Sequence, residues 1–364
     1  MNYLKWISVW FVAAIVTLLL VGTLNYIISP YNSPYRRLSE INYFSLAKLL
    51  VIKTFQVDQL EYKGLVLGGS RAEFGFSPEH DYFIKPSYNY GSPGSSVYDT
   101  KLKLKHAIKT NNIKQVVYVA DYGTFILKKQ SQVPKDLFAD GQKYFYLFST
   151  DTLINSFKKI FKTGAYPVLS NGQREHFHRQ KKVNKAGGHA KYFAIYKDFY
   201  KGYYPAYQYQ DTKKNSFDDF EEIMEICYKN NIKLDVVFGP SHVAMWEILN
   251  DTISYSKWLK WKKDVVLSMQ KISDRFNKDP YRLFDFSVYH KFTTENVPKD
   301  PKAQMKYHWE PSHYKPVLGE IVLNRLMGDS KFKEFGVELN IDNIESHLNN
   351  QKNNRLKYIS SKNQ

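Results

Sequence analysis

Apolar positions fall into distinct regimes along the chain. From Trp6 to Ile28 they run almost unbroken and without a charge, long enough for a helix across a hydrocarbon core of about 30 Å. Pro30 to Ser39, rich in Pro, Ser and Asn, predicts a linker, and a helix is expected near Glu40 to Phe55. Beyond it, short apolar runs alternate with stretches of helical period. Leu65, Val66 and Leu67 stop at Gly68-Gly69, as a buried strand entering a tight turn does. A strand around Ser87 to Asn89, a helix over Val97 to Thr110 and a β-branched strand at Gln115 to Ala120 follow.

Between about Leu127 and Asn215 the rhythm fails. Lys, Tyr, Phe and Gln dominate without a period, and the stretch is expected to form an insertion or lid over the sheet. The alternation then returns with a helix at Phe217 to Asn230, a strand at Leu234 to Phe238, a helical stretch at Ile253 to Phe276, a strand at Leu283 to Phe286 and a helix at Pro316 to Met327. The pattern predicts a three-layer α/β domain over 61–340, interrupted at about 127–215. It is preceded by an anchor (1–30) and a linker with a helix (31–60), and followed by a peripheral tail (341–364) rich in Lys and Asn. In such sheets, sites lie at the carboxyl ends of the strands.

The first apolar run exceeds the roughly 7–15 residue core of a cleaved signal peptide, and no Ala-x-Ala follows it, so it is expected to stay as a single-pass anchor in the lipid bilayer. Trp6, Trp10 and Tyr26 suit its interfacial ends. Lys5 on one side and Arg36 and Arg37 on the other leave its orientation open.

A formal charge of +17 raises the question of nucleic acid. The basic residues are scattered among tyrosines without a zinc-finger spacing, an RNP-like motif or a compact basic helix, so no nucleic-acid partner is expected. The single cysteine, Cys227, excludes an internal disulfide and a multi-cysteine zinc site. Arg174, His176, His178 and Arg179 form a basic cluster, but His-x-His lacks a third ligand at a recognisable spacing, and neither metal nor cofactor is expected.

Candidate chemistry concentrates at two places. Ser70 follows the first strand, where it either caps the next helix or acts as a nucleophile beside converging backbone N–H groups. Glu310 and His313, in His308-Trp309-Glu310-Pro311-Ser312-His313, are spaced so that a carboxylate can fix the imidazole tautomer and leave the other nitrogen to take a proton. Pro311 suits the first turn of a helix there. Asp285, at a strand end, ranks second as the acid. Arg71, Asp121 and His242, the last after Phe238-Gly239-Pro240-Ser241, are candidate substrate contacts.

The order of these segments resembles the SGNH/GDSL hydrolase family. Gly68-Gly69-Ser70-Arg71 stands for its first block, Asn89-Tyr90-Gly91-Ser92-Pro93-Gly94 for its second, and Glu310-Pro311-Ser312-His313 for its last. The resemblance implies a flavodoxin-like parallel sheet, Ser70 as nucleophile, His313 as base, Glu310 as acid and the Gly94 N–H as an oxyanion donor. The third-block Asn falls on Asp121, whose carboxylate would repel an oxyanion unless it is protonated or points elsewhere.

The single span, the Gly-x-Ser-Arg turn and the late acid-x-Ser-His-Tyr segment are similar to membrane-anchored SGNH-like proteins of bacterial envelope polymer modification, such as those of teichoic acid D-alanylation and periplasmic O-acetylation. That likeness implies a domain on the periplasmic side of the inner membrane, a multi-spanning membrane O-acyltransferase as partner, a polysaccharide acceptor and O-acyl transfer. The alternatives are a polysaccharide O-acetyl esterase and a non-catalytic polymer-binding or scaffold protein, the last favoured by Asp121.

Overall fold

The computed structural model describes residues 3–31, 41–42, 48–134, 136–139, 141–161, 168–174 and 177–362. Most of the expected linker, with Arg36 and Arg37, lies outside these residues, as does His176. The chain divides into two compact units, residues 1–61 with 133–175 and residues 62–132 with 176–364.

The first unit carries α1 (Tyr3–Ile28), a helix long and apolar enough to cross a membrane. With it belong β1 (Ile41–Asn42), α2 (Leu49–Val57), α6 (Gln142–Phe148), α7 (Thr150–Ile160) and β5 (Val168–Leu169). The helix expected from Glu40 begins only at Leu49, because Ile41 and Asn42 pair antiparallel with β5. Ile52 and Phe55 of α2 are buried with Tyr31, Leu137 and Val168 in an apolar cluster.

In the second unit, β2 (Gly64–Gly68), α3 (Ser70–Gly75), β3 (Ser87–Asn89), α4 (Val97–Thr110), β4 (Gln115–Ala120) and α5 (Tyr122–Phe125) come first. Then follow α8 (Phe177–Ala186), α9 (His189–Ile195), α10 (Ser216–Lys229), β6 (Lys233–Phe238), α11 (Val243–Thr252), α12 (Tyr255–Phe276), β7 (Arg282–Asp285), α13 (Pro316–Leu326), β8 (Val337–Leu339) and α14 (Ile344–Lys362). The strands form one sheet in the order β3-β2-β4-β6-β7-β8, parallel except for the antiparallel edge strand β8.

Alternate strand residues face opposite ways, and both faces of this sheet are covered. Val66, Val117, Val119 and Val237 pack with Leu318, Val322 and Leu323 of α13. On the other face, the Tyr118 ring meets Phe220 of α10, and Phe238 meets Trp261 of α12. Burial on both faces explains why the strands read as continuous apolar runs rather than alternating ones.

From β2 the chain crosses to β3 on one side and then to β4 on the other. A crevice outside the carboxyl ends of β2 and β4 follows from that reversal. Ser70 leaves β2 and Asp121 leaves β4 at this point.

Two stretches differ from the sequence expectation. The aperiodic region at about 127–215 is not one insertion: residues 133–175 group with the first unit and the remainder with the sheet. Its helices are 7–11 residues long, too short to declare a period among so many aromatics. The expected peripheral tail contains α14, in which Ile344, His347, Leu348 and Gln351 are buried.

Candidate active site

The turn that presents Ser70 depends on Gly68. Its φ of +136° is foreign to side chains with a Cβ, and a Cβ there would lie 2.6 Å from the Val119 carbonyl oxygen. The strand therefore breaks cleanly, and α3 begins at Ser70, whose own N–H has no acceptor within the helix. Asn89, at the end of β3, ties down α3 by donating to the carbonyls of Ala72 at 3.0 Å and Phe76 at 2.7 Å.

The segment carrying His313 is a pinched loop rather than the start of a helix. His308 and Tyr314 form an antiparallel bridge, and the Trp309 N–H donates to the His313 carbonyl at 3.0 Å. Helix α13 opens at Pro316, so Pro311 belongs to the loop and Pro316 takes the N-terminal helical position. Buried Glu310 organises the turn from inside. Its Oε2 accepts from the N–H groups of Ser312 at 2.6 Å and His313 at 3.2 Å, while Oε1 accepts from His313 Nδ1. That contact fixes the tautomer and leaves Nε2 unprotonated. Ser70 Oγ lies 2.7 Å from Nε2.

Burial and the nearby Arg179 guanidinium pull His313 down to about 4, against the opposing effect of Glu310, so the imidazole is neutral at pH 7. Burial works against the charge on Glu310, but His313 and Arg179 outweigh it and hold the carboxyl at about 2. The result is a neutral base, an ionised orienting acid and a hydroxyl in line, the arrangement that activates a serine nucleophile.

Arg71 ties the first, third and last segments together. Its Nε donates to the Ser312 carbonyl at 2.9 Å, Nη2 to Ser312 Oγ at 3.2 Å, and Nη1 pairs with Asp121. Burial opposes the charge on Arg71, and the Asp121 carboxylate more than offsets it, raising the pKa. The Asp121 carboxylate is thus paired with the Arg71 guanidinium.

Ser70, Arg71, Gly94 and Asp121 line one cavity of about 90 Å³, walled by Phe199, Tyr200 and Tyr203. Gly94, at φ +71°, has open space where a Cβ would point, so its conformation rather than crowding calls for glycine. Beneath that loop, the buried Lys103 ammonium donates to Ser92 Oγ at 3.1 Å and Ser95 Oγ at 2.9 Å.

Two candidates lie elsewhere. His242 caps α11, accepting from the Ala244 N–H at 3.1 Å and donating through Nε2 to the Glu295 carbonyl at 2.7 Å. Both ring nitrogens are thus committed to the fold, and His242 is not among the residues lining the Ser70 cavity. Asp285 is buried against Lys262 at 2.6 Å and His347 at 2.8 Å, so Glu310 alone of the two acids meets His313.

Arg179 and the aromatic wall received no site role from the sequence. One guanidinium amino group of Arg179 lies 3.1 Å from Glu310 Oε1 and 3.3 Å from His313 Nδ1, and the other lies 3.4 Å from His313 Nε2. The guanidinium therefore runs alongside the imidazole, and its carbon sits 4.3 Å from the centre of the Phe74 ring. The basic cluster of Arg174, His176, His178 and Arg179 is the one local signal for this arginine, and nothing in the spacing of that cluster points to His313. Among the described residues no group of side chains is arranged to hold a metal ion. No protein-family model matches the sequence, and no curated protein matches it.

Proposed function

We propose that the protein transfers a short acyl group, acetyl being the simplest, onto a hydroxyl of a cell-envelope or secreted polysaccharide, with its site on the extracytoplasmic face of the inner membrane. One observation carries this reading: Glu310, His313 and Ser70 stand in direct succession, with 2.7 Å between His313 Nε2 and Ser70 Oγ.

In the proposed reaction His313 Nε2 takes the Ser70 proton as Oγ attacks the acyl carbonyl. The Ser70 and Gly94 N–H groups hold the oxyanion, each donor contributing about 3 kcal/mol to the transition state. Collapse breaks the bond to the donor's leaving group, which departs with the proton from His313, and leaves the acyl ester on Ser70. His313 then takes the proton of a sugar hydroxyl, whose oxygen attacks that ester; the acyl–Oγ bond breaks and His313 returns the proton to Ser70 Oγ. A cavity of about 90 Å³ suits a short acyl group better than a long chain, and the partly exposed Phe199 and Tyr203 offer faces on which a sugar ring can pack. The acyl donor would be supplied across the bilayer by a multi-spanning membrane O-acyltransferase.

Acyl content of the envelope polymer, compared between the native protein and Ser70→Ala, tests the proposal. Less acyl ester in the variant is expected, with residual transfer lower by roughly 10⁴-fold or more. More ester would mean that water is the acceptor and the protein removes acyl groups, and unchanged ester would mean that the site is not used.

A further inference from the structure

In the first unit, α6 and α7 form a hairpin whose polarity is reversed. Thr152, Asn155 and Ser156 of α7 are buried, while Ile154, Phe157, Ile160 and the following Phe161 are exposed. On α6, Phe145 is 72 % exposed and Phe148 47 % exposed. A helix bathed in water turns its apolar stripe inward, whereas α7 turns most of its apolar side chains outward, with Thr150 and Lys158 exposed beside them near its two ends.

The inward polar side chains meet the end of α1. Asn25 Nδ2 donates to the carbonyls of Leu147 at 2.8 Å and Ser149 at 3.4 Å, and its Oδ1 accepts from Ser156 Oγ at 2.9 Å. Lys159 Nζ donates to the Ser29 carbonyl at 2.9 Å, and Ser149 Oγ caps α7 by accepting from the Thr152 N–H at 3.1 Å. The Leu147 and Ser149 carbonyls at the turn between the helices are thereby satisfied without water, as a bilayer requires, and the adjoining Asp151 carboxylate is paired with Lys48 at 2.8 Å. Gly22 of α1 permits the close approach, since a Cβ there would lie 2.6 Å from the Phe148 ring.

We infer that the α6–α7 hairpin lies in the lipid hydrocarbon beside the carboxyl-terminal half of α1, within one leaflet. The occupant follows from continuity: the exposed apolar face of the hairpin extends the apolar surface of α1, whose proper surroundings are acyl chains. At 1.5 Å per residue, α7 spans about 16 Å and α6 about 10 Å, enough for one leaflet and not for the bilayer. This inference rests on α1 being a membrane helix and is independent of the chemistry at Ser70.

Spin labels at Phe145→Cys, Phe157→Cys and Phe161→Cys test it in the full chain, reconstituted in vesicles of phosphatidylethanolamine and phosphatidylglycerol. Leu18→Cys on α1 serves as the lipid reference and the exposed Leu356→Cys on α14 as the aqueous one. Cys227 is buried and does not compete for label. Hairpin labels should collide several-fold more often with oxygen than with a water-soluble nickel chelate, as Leu18→Cys does. Hairpin labels resembling Leu356→Cys would overturn the inference, and so would labels shielded from both reagents, which would mean a protein cover. If Leu18→Cys itself meets the nickel chelate, the anchor and the hairpin fail together.

Discussion

At the scale of single residues, Arg179 is where charge and chemistry meet most closely. A cation beside an imidazole disfavours the imidazolium, and burial disfavours it further, which is why His313 sits at about 4 instead of near 6.5. In the proposed reaction the base must be neutral to accept the Ser70 proton, so activity should persist as pH falls until His313 protonates. Arg179→Met removes the cation and raises the His313 pKa. The acid limb of kcat/KM toward an activated acetyl ester should therefore move up by about 1–3 pH units. An unmoved limb with a lower plateau would reduce Arg179 to packing. Ser70, Glu310 and His313 were legible in the sequence as candidates because Ser70 follows a strand and the other two lie close together just ahead of a helix, where local signals are strong, whereas Gly94 rested on the family resemblance alone. Arg179 was not, because what brings it to His313 is a contact spanning 134 residues, which leaves no trace in local spacing.

At the scale of elements, the sheet was legible and the additions to it were not. β2, β4, β6 and β7 carry buried apolar runs, and α4, α10 and α12 carry the period of helices packed on one side. Helix α14 carries only Ile344, His347, Leu348 and Gln351 as buried positions in a segment dominated by Asn, Lys and Ser, too few to announce a packed helix. Two of those positions nonetheless cover a charged cluster in the core. His347 Nε2 donates to Asp285 at 2.8 Å, and Gln351 Nε2 donates to the Ser287 carbonyl at 2.9 Å, beside the fully buried Lys262. Ending the chain after Asn340 would uncover the Asp285–Lys262 pair together with the surfaces under Ile344 and Leu348. The thermal midpoint should fall by about 10 °C or more, given that lost hydrogen bonds cost roughly 1 kcal/mol each and buried aliphatic side chains roughly 1.5–3 kcal/mol each. A shift within about 1 °C would show that α14 is as dispensable as its composition suggests. His347→Ala, which keeps the helix, should reproduce a smaller part of the loss.

At the scale of the whole molecule, the buried histidines make folding sensitive to acid. His242 is held down at about 3, first by burial and then by His308, and Nδ1 can accept from the Ala244 N–H only while the ring is neutral. His313 is held down at about 4. The unfolded chain takes up protons at both near pH 6.5, so between that value and the folded ones it binds more protons than the native state. Stability is then complete above about pH 6.5 and declines as pH falls, by roughly 2 kcal/mol for each histidine by pH 4.5. Glu310, held at about 2, extends the loss below its unfolded value near 4.5. A chain already at +17 gains further positive charge over the same range, which adds self-repulsion. Urea midpoints of the full chain in detergent should therefore drop steadily from pH 7 to 4.5. His242→Gln supplies an acceptor for the Ala244 N–H and a donor for the Glu295 carbonyl without a titrating ring, so its curve should be flatter than that of the native chain. Parallel curves would show that protons enter elsewhere, and a midpoint constant from pH 7 to 5 would mean that neither histidine is linked to folding.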